Sequence, residues 1–359
     1  MTAGADAIFV HTSGHSARDD LQSADNHDDT LRIKVVIVTY KCAQLTIECL
    51  RSVETERGAA SLSIQAIVVD NASGDALQIS QAVRDNDWSS WVTLINAPIN
   101  GGFAYGNNLG IAHAYLGGAP AYIYLLNPDT QVRSGAIAAL VRFMETHPNV
   151  GISGSGFENP DGSEWPIAFR FPTLVSEIIA GMEFGPLTRI LQRWVVAREM
   201  PSVPQQTDWI CGASMMIRPA VFAAIGGFDE NYFLYFEETD LCYRARQSGF
   251  PTWYVPESRV MHIMGQSTQV TNLAGGTRRL PSYWFESRRR YFAMTFGLTH
   301  AIAIDIAALV AHSLGWLKRL LIGRRRHAVP YYIRDLLRHS TIFAKNRDLR
   351  AVRCFQPRR

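Results

Sequence analysis

The chain predicts an α/β fold: a Rossmann-like, mostly parallel central sheet with helices on both faces, followed by a helical basic C-terminal segment. Three observations point there. Short β-branched runs alternate with stretches of helical spacing between residues 31 and 145, the pattern of strand–helix–strand units. Two of the runs end in acid-bearing turns, Asp70-Asn71-Ala72-Ser73-Gly74-Asp75 and Asn127-Pro128-Asp129. In open α/β sheets, ligands bind outside the C-terminal ends of the strands. Finally, Tyr122-Ile123-Tyr124-Leu125-Leu126 is apolar on both faces, as a buried parallel strand is, and Pro128 stops it.

The elements follow in order. Residues 33–38 form a β-branched first strand ending in Thr39-Tyr40. Leu45, Cys49, Leu50 and Val53 have helical spacing. Residues 64–69 and 92–95 read as the second and third strands. Asp70, at the end of the second, can accept the imide N–H of a uracil or thymine ring, with Asn71 beside it. The alternative is an Asx turn or helix cap, since Ser73 and Asp75 are turn formers. After the third strand comes Asn100-Gly101-Gly102-Phe103-Ala104-Tyr105-Gly106-Asn107-Asn108. Its glycines let backbone N–H groups approach an anion. No Gly-Lys-Ser/Thr follows, and the loop does not open the first βα unit, so it is neither a Walker loop nor a dinucleotide fingerprint. A tight turn is the alternative. A helix through Ala114 leads to the strand at 122–126, and 136–145 is a further helix. Right-handed crossovers then limit the topology to a Rossmann-like half.

Residues 151–206 mix aromatics, Pro and Arg without a clean period, apart from a hairpin-like turn at Asp161-Gly162. Residues 209–217 read as one strand, 219–225 as a short helix and 241–248 as a helix ended by Gly249. Just before that helix, Glu237-Glu238-Thr239-Asp240 follows a run of aromatics. Acids crowded beside an apolar wall raise one another's proton affinity, which suits a general base. Acids also favour a helix N-terminus, so Thr239 or Asp240 is expected to start the helix while Glu237 or Glu238 faces a cleft. Asp129, at a strand's end, is placed to hold a divalent cation against a phosphate. His262, at the end of a strand-like run, is either structural or a further metal ligand.

The motifs in order are Val-Ile-Val-Thr-Tyr, Val-Val-Asp-Asn-Ala-Ser, Asn-x-Gly-Phe-Ala-x-Gly-Asn-Asn-x-Gly, Leu-Asn-Pro-Asp, Trp-x-x-Gly-Ala, Gly-Gly-Phe-Asp-Glu, Tyr-Phe-Glu-Glu-x-Asp-Leu-Cys and Val-x-His. This series, over residues 33–267, resembles family 2 inverting glycosyltransferases, most closely their rhamnosyltransferase-type subgroup. The resemblance implies a GT-A fold, a nucleotide-sugar donor and a saccharide or lipid-linked acceptor. It implies that Thr39, Tyr40 and Asp70, with Asn71, hold the base and ribose. Asn100, Gly102, Phe103 and Asn107 would shape the diphosphate and sugar site, with Asn127 on the donor side. Asp129 and His262 would hold Mg²⁺ or Mn²⁺. Trp209, Gly212, Ala213 and Asp240 would border the acceptor. Glu238 stands at the base position, with Glu237 as its alternative. The first acid of the usual Asp-x-Asp metal motif is Asn127 here. Two other classes share parts of the pattern: a sugar-nucleotide nucleotidyltransferase, and a non-catalytic module binding nucleotide sugars or glycans.

The expected organisation is a disordered polar leader (1–30), a GT-A domain (31–270, with a nucleotide-sugar half at 31–150 and an acceptor and catalytic half at 151–270), and a helical basic region (271–359). The leader, rich in Asp, Ser and His, has no secretory pattern. The net charge of +3 hides an asymmetry: from Arg288 onward there are 16 Lys/Arg against three acids. An acidic body with a basic tail points to an anionic membrane surface. The apolar stretch 298–322 is interrupted by Asp305, His312, Lys318 and Arg319, and its longest apolar run is too short to span a bilayer. An ordinary basic helical domain is the alternative, and a homodimer is a further candidate assembly. No nucleic-acid-binding module accompanies the charge. The five cysteines lack metal spacing and disulfide density, which fits a reducing cytoplasm, with the protein peripheral on the inner face of the cell membrane.

Overall fold

The computed structural model describes residues 31–59, 62–165, 168–199, 202–262, 278–322, 329–344, 349 and 351–357. The expected leader and the expected domain boundary at 270/271 lie outside these residues, as does Arg324-Arg325-Arg326.

In chain order the elements are β1 (Leu31–Thr39), α1 (Ala43–Ala59), β2 (Leu62–Asp70), α2 (Ala76–Asp85), β3 (Val92–Asn96), α3 (Gly102–Ala114), β4 (Tyr122–Leu126), β5 (Thr130–Val132), α4 (Ala136–Thr146), β6 (Ile152–Glu158), β7 (Glu164–Trp165), β8 (Ala168–Phe169), α5 (Leu174–Met182) and α6 (Gly185–Ile190). There follow β9 (Gln205–Thr207), β10 (Trp209–Ile210), β11 (Ser214–Ile217), α7 (Pro219–Ile225), α8 (Glu237–Gln247), β12 (Thr252–His262), α9 (Ser282–Phe296), α10 (Leu298–Leu321) and α11 (Tyr332–His339).

The main sheet runs β3-β2-β1-β4-β11-β6-β12-β5, with β7 on β6 and β9 on β12. The first four strands are parallel, as is the β6–β12 pair. β11 is antiparallel to both neighbours, and β5 is antiparallel to β12. Side-chain alternation along β1 sorts the core. Ile33, Val35 and Ile37 pack with Ile47, Leu50 and Val53 of α1 on one face, while Val36 packs with Ala104, Ile111 and Ala114 of α3 on the other. Helices therefore cover both faces, as the alternating sequence predicts.

Two sequence expectations change. Residues 209–217 are not one strand: β10 and β11 are separated by a turn at 211–213, and β10 pairs with β8 in a small separate sheet. The helix expected at 241–248 begins at Glu237, because Tyr235 and Phe236 both take left-handed backbone (φ 71° and 66°) and turn the chain into its first turn early.

The C-terminal helices are built into the same compact unit, which spans Leu31–Arg359. Buried Arg288 of α9 binds Glu177 of α5 and Asp305 of α10, each at 2.6 Å. Buried Arg290 binds Asp229 at 2.5 Å. Two arginines that the composition assigns to a basic surface are thus internal. α10 is, among the described residues, the one helix long and apolar enough to cross a membrane. One face of it (Ala301, Ile304, Ala308, Ala311, Gly315) is buried. Its other face (Ile302, Ile306, Val310, Leu314, Leu317, Leu321) is exposed.

Candidate active site

Parallel pairing aligns the C-terminal ends of three strands, with Thr39 level with Asp70 and Asp70 level with Asn96. A cleft of about 400 Å³ opens at this edge. Seven of the expected donor-side residues line it: Thr39, Tyr40, Asn71, Asn100, Gly102, Phe103 and Asn127. Val38 and Pro128 also line it, as do Phe233, Leu234 and Tyr283, and sequence reasoning singled out none of the last three. Tyr283 comes from α9, in the region read as a tail.

Asp70 and Asn107 are placed differently. Asp70 is fully buried, and its carboxylate accepts from the Ser73 amide (3.0 Å), the Ser73 hydroxyl (2.5 Å) and the Ala76 amide (3.2 Å). It holds the start of α2, the Asx-turn and cap alternative read from Ser73 and Asp75. Asn107 is buried on α3 and donates to the Phe103 carbonyl at 2.9 Å.

The glycine loop is gripped by side chains. The Gly101 amide donates to Asn71 Oδ1 (3.3 Å), the Gly102 amide to Asn100 Oδ1 (3.1 Å) and the Phe103 amide to the Phe233 carbonyl (2.8 Å). These three amides are therefore already satisfied, and the expected backbone anion cradle is not formed by them. The loop's later glycines serve close packing: a Cβ at Gly106 or Gly110 would lie 2.6 or 2.3 Å from a Val38 or Val36 methyl of β1. Gly102 itself has φ +85°, and a Cβ there would meet the Phe233 carbonyl oxygen at 1.9 Å. Asn108, a further residue missed from sequence, exchanges hydrogen bonds with Phe228 N (2.9 Å) and O (2.8 Å), tying α3 to the Gly-Gly-Phe-Asp-Glu turn.

Asp129 and His262 are brought together by strand register. Thr130 donates to the Asn127 carbonyl (2.6 Å) and closes the Asn-Pro-Asp turn. Thr130 then starts β5, where it pairs with His262 at the end of β12. Asp129 Oδ1 ends 3.3 Å from His262 Nε2, with both side chains buried. Among the described residues, no group of three His, Cys, Asp or Glu gathers there or elsewhere.

The acceptor-side residues adjoin both points. The Asn127 amide donates to the Ala213 carbonyl (3.0 Å), so the 211–213 turn sits on the Asn-Pro-Asp turn. A Cβ at Gly212 would lie 3.0 Å from Phe103 Cζ and 3.9 Å from Glu238 Cβ. The cleft wall at Phe103, the 211–213 turn and Glu238 thus meet at Gly212. Trp209 stacks on Phe169 with ring centroids 4.3 Å apart and donates from Nε1 to the Arg170 carbonyl (2.9 Å). Asp240 faces elsewhere: it binds Arg244 at 2.7 Å, and Arg244 in turn donates to the Ile225 and Gly227 carbonyls. Its placement makes it a positioning residue for α8.

Glu237 and Glu238 each keep one buried carboxylate oxygen without a hydrogen bond. Burial, and then the Glu238 charge, push Glu237 well above the usual carboxyl range. Burial also raises Glu238, opposed by the amides of Glu238 and Gly212. Left-handed Tyr235 and Phe236 hold both acids in place at a strain of roughly 1–3 kcal/mol each, of the sort found at functional sites.

Residues 34–191 match the family model for glycosyl transferase family 2. The chain is 30% identical over 233 residues to N-acetylglucosaminyl-diphospho-decaprenol L-rhamnosyltransferase of Mycobacterium tuberculosis, covering 59% of this chain and 73% of that protein. The chain belongs to glycosyltransferase family 2. Rhamnosyltransferase WbbL of Escherichia coli (strain K12) is 25% identical over 207 residues, covering 54% of this chain and 76% of that one. Two solved structures share the GT-A fold. One is GalNAc-T7 with UDP, GalNAc and Mn²⁺ (TM-score 0.53, 15% identity, 85% of this chain and 56% of that chain). The other is mannosyltransferase PcManGT from Pyrobaculum calidifontis with GDP-Man and Mn²⁺ (TM-score 0.50, 16% identity, 86% and 79%). For this glycosyltransferase, the nucleotidyltransferase and non-catalytic alternatives fall away.

Proposed function

We propose that this glycosyltransferase moves L-rhamnose from dTDP-L-rhamnose, with inversion, to a lipid-linked saccharide during surface polysaccharide assembly at the cytoplasmic membrane face. The meeting of Phe103, Gly212 and Glu238 carries the reading, since it sets Glu238 next to a wall residue of a cleft sized for a nucleotide sugar. The rhamnosyltransferase relatives support rhamnose as the sugar, and the name of the mycobacterial one supports a diphospholipid acceptor.

In this mechanism Tyr40 and Asn71 flank the nucleoside, and Phe103 with Asn100 shapes the sugar end of the cleft. Ionised Glu238 takes the proton of the acceptor hydroxyl while that oxygen attacks the anomeric carbon opposite the diphosphate. The bond from the anomeric carbon to the diphosphate breaks, and the nucleoside diphosphate leaves with its electron pair. Burial of Glu238 strengthens it as a base. Burial, and then the Glu238 charge, favour the protonated form of Glu237, which limits the pair to one carboxylate charge.

Asp129 and His262 fit a divalent cation. A buried carboxylate oxygen faces an imidazole nitrogen across 3.3 Å, a donor set that suits Mn²⁺ better than Mg²⁺. Bound there, the ion would neutralise charge developing on the diphosphate. With Asn127 in place of a second acid, diphosphate and water must supply the remaining ligands. The exposed apolar face of α10, closed by Lys318 and Arg319, supports peripheral attachment to an anionic membrane.

The test is turnover with dTDP-L-rhamnose, Mn²⁺ and an N-acetylglucosaminyl diphospholipid, reading nucleoside diphosphate and the product's anomeric configuration. Glu238→Gln should lower kcat by about 10²–10⁴-fold with an unchanged Tm. Near-normal turnover would move the base to Glu237, and retention of configuration would overturn the mechanism.

A further inference from the structure

A second cavity, of about 1050 Å³, lies away from the cleft and is lined by Arg170, Arg189, Arg193 and Arg198 together with Glu183 and Glu199. Glu183 is already paired with Arg319 of α10. None of the four arginines forms an ion pair among the described residues. Two of them are braced: Arg170 Nη1 donates to the Val195 carbonyl (3.0 Å) and Arg198 Nη1 to the Gln206 carbonyl (2.9 Å). Arg189 and Arg193 are exposed at the mouth. Four cations facing one uncommitted carboxylate form a site short of negative charge.

We infer that this cavity binds the diphosphate of the lipid-linked acceptor, a role that rests on the acceptor class proposed above. Guanidinium groups match phosphate oxygens in paired, planar hydrogen bonds, and several together suit a group with two phosphates. Arg198 is lowered by burial and then by the charge of Arg170, opposed in part by Asp208, and a bound anion would relieve the Arg170 repulsion further.

The cavity is joined to the active site through Arg170. Its carbonyl accepts from Trp209, and the neighbouring Phe169 stacks on the Trp209 ring. Three residues further on, at most about 11 Å of chain, Gly212 lies beside Glu238. A diphosphate held by the arginines would thus present its sugar past Trp209 toward the base. Exposed apolar residues also stand beside the lining in sequence. Phe184 and Ile190 are 48% and 78% exposed, in sequence beside the lining residues Glu183, Gly185 and Arg189. Lys318 donates to the Met182 carbonyl, bringing the end of α10 and its exposed Leu321 to the same rim. A lipid chain leaving the cavity there meets the face of α10 assigned to the membrane.

The experiment measures binding of farnesyl diphosphate and of farnesol to the full chain in EDTA, where no metal–nucleotide site competes. The wild type should prefer the diphosphate, and Arg189→Ala/Arg193→Ala should weaken it by roughly tenfold or more, the scale of losing charge-assisted hydrogen bonds. Both positions are exposed, so the Tm and the thermal shift given by dTDP-L-rhamnose with Mn²⁺ should stay unchanged. Equal affinity in the double variant, or equal binding of farnesol, overturns the assignment. Phosphatidylglycerol vesicles separate the other phosphate source: a double variant that loses vesicle binding but keeps farnesyl diphosphate shows a bilayer headgroup site and overturns it too. Donor binding is read separately, so a wild type indifferent to nucleotide sugars would fail the donor reading whatever the diphosphate result.

Discussion

Gly212→Ala puts one methyl group between Phe103 and Glu238, where the proposed donor wall, acceptor turn and base meet. The added Cβ would lie 3.0 and 3.2 Å from two Phe103 ring carbons but 3.9 Å from Glu238 Cβ. Carbon contacts are comfortable from about 3.5 Å, so the ring must yield by roughly half an ångström while Glu238 need not move. Phe103 packs edge-on to Phe228 at 5.9 Å and borders the cleft, so the ring has room only toward the donor. Overpacking costs about 1–3 kcal/mol, and the open side of the ring puts this case near 1 kcal/mol. The Tm should therefore fall by no more than about 2–4 °C. Activity should suffer more. Misplacement by 1 Å can cost about 100-fold, so half of that should lower donor kcat/KM by roughly tenfold. Initial rates of nucleoside diphosphate release at varied donor concentration, beside a thermal melt, test this. Wild-type kinetics in a folded Gly212→Ala enzyme would refute the placement of Gly212 at the junction.

Three further outcomes are expected. In Gly102→Ala the new Cβ meets backbone, the Phe233 carbonyl at 1.9 Å, at φ +85°. Left-handed strain and the lost Phe103–Phe233 hydrogen bond should together cost roughly 2–3 kcal/mol in urea unfolding and abolish the donor-induced thermal shift. A raised folded-state pKa makes native Glu237 hold its proton longer than the unfolded chain does, so wild-type stability should decline as pH rises above the ordinary 4.5 toward the folded value. Glu237→Gln should flatten that slope while keeping most turnover; parallel stability–pH curves would contradict the assignment. Val310→Glu/Leu314→Glu alters two half-exposed positions on α10 and should leave Tm nearly unchanged. Each side chain is already half buried, so losing it removes about 1 kcal/mol of insertion energy, and each added carboxylate is repelled by the anionic lipid; sedimentation with phosphatidylglycerol vesicles should fall sharply, and undiminished sedimentation would clear α10 of the docking role.

What could be read in advance depended on how local the signal was. β1, β2, β4 and α7 are legible because burial writes itself into runs of Val, Ile and Leu, and Pro219 marks a helix start. The break between β10 and β11 was hidden because Cys211 and Ala213 are as apolar as the strands around them; Gly212 was the one local sign. The early start of α8 depends on left-handed Tyr235 and Phe236, a conformation that bulky residues avoid, so no propensity could announce it. Asp129 and His262 are distant in sequence and meet only through the register of a three-residue strand, so their pairing was legible from the family resemblance and not from the residues around either. Tyr283 escaped notice because a basic composition made its whole region look like a tail.

That region instead braces the candidate active site, which decides how the proposed membrane attachment has to be tested. The segment from Gly226 to Phe236 carries Phe233 and Leu234 to the cleft and ends at the two glutamates. From one side it is held by Asn108 of α3, and by Arg244, which Asp240 anchors. From the other it is held by α9: Ser287 donates to the Leu234 carbonyl (3.0 Å), and Arg290 neutralises buried Asp229. Stripping one partner from a buried ion pair costs about 3–5 kcal/mol. Deleting 271–359 would do that at Asp229, would remove the Tyr283 wall and would uncover α5, where Arg288 and Glu177 are joined. Even the shorter deletion of 298–359 leaves buried Arg288 without Asp305. Loss of activity or of liposome binding in such truncations therefore reports collapse of the candidate site as readily as loss of an anchor. Only substitutions confined to the outward face of α10 leave Arg288, Arg290 and Tyr283 in place, so they alone separate attachment from catalysis.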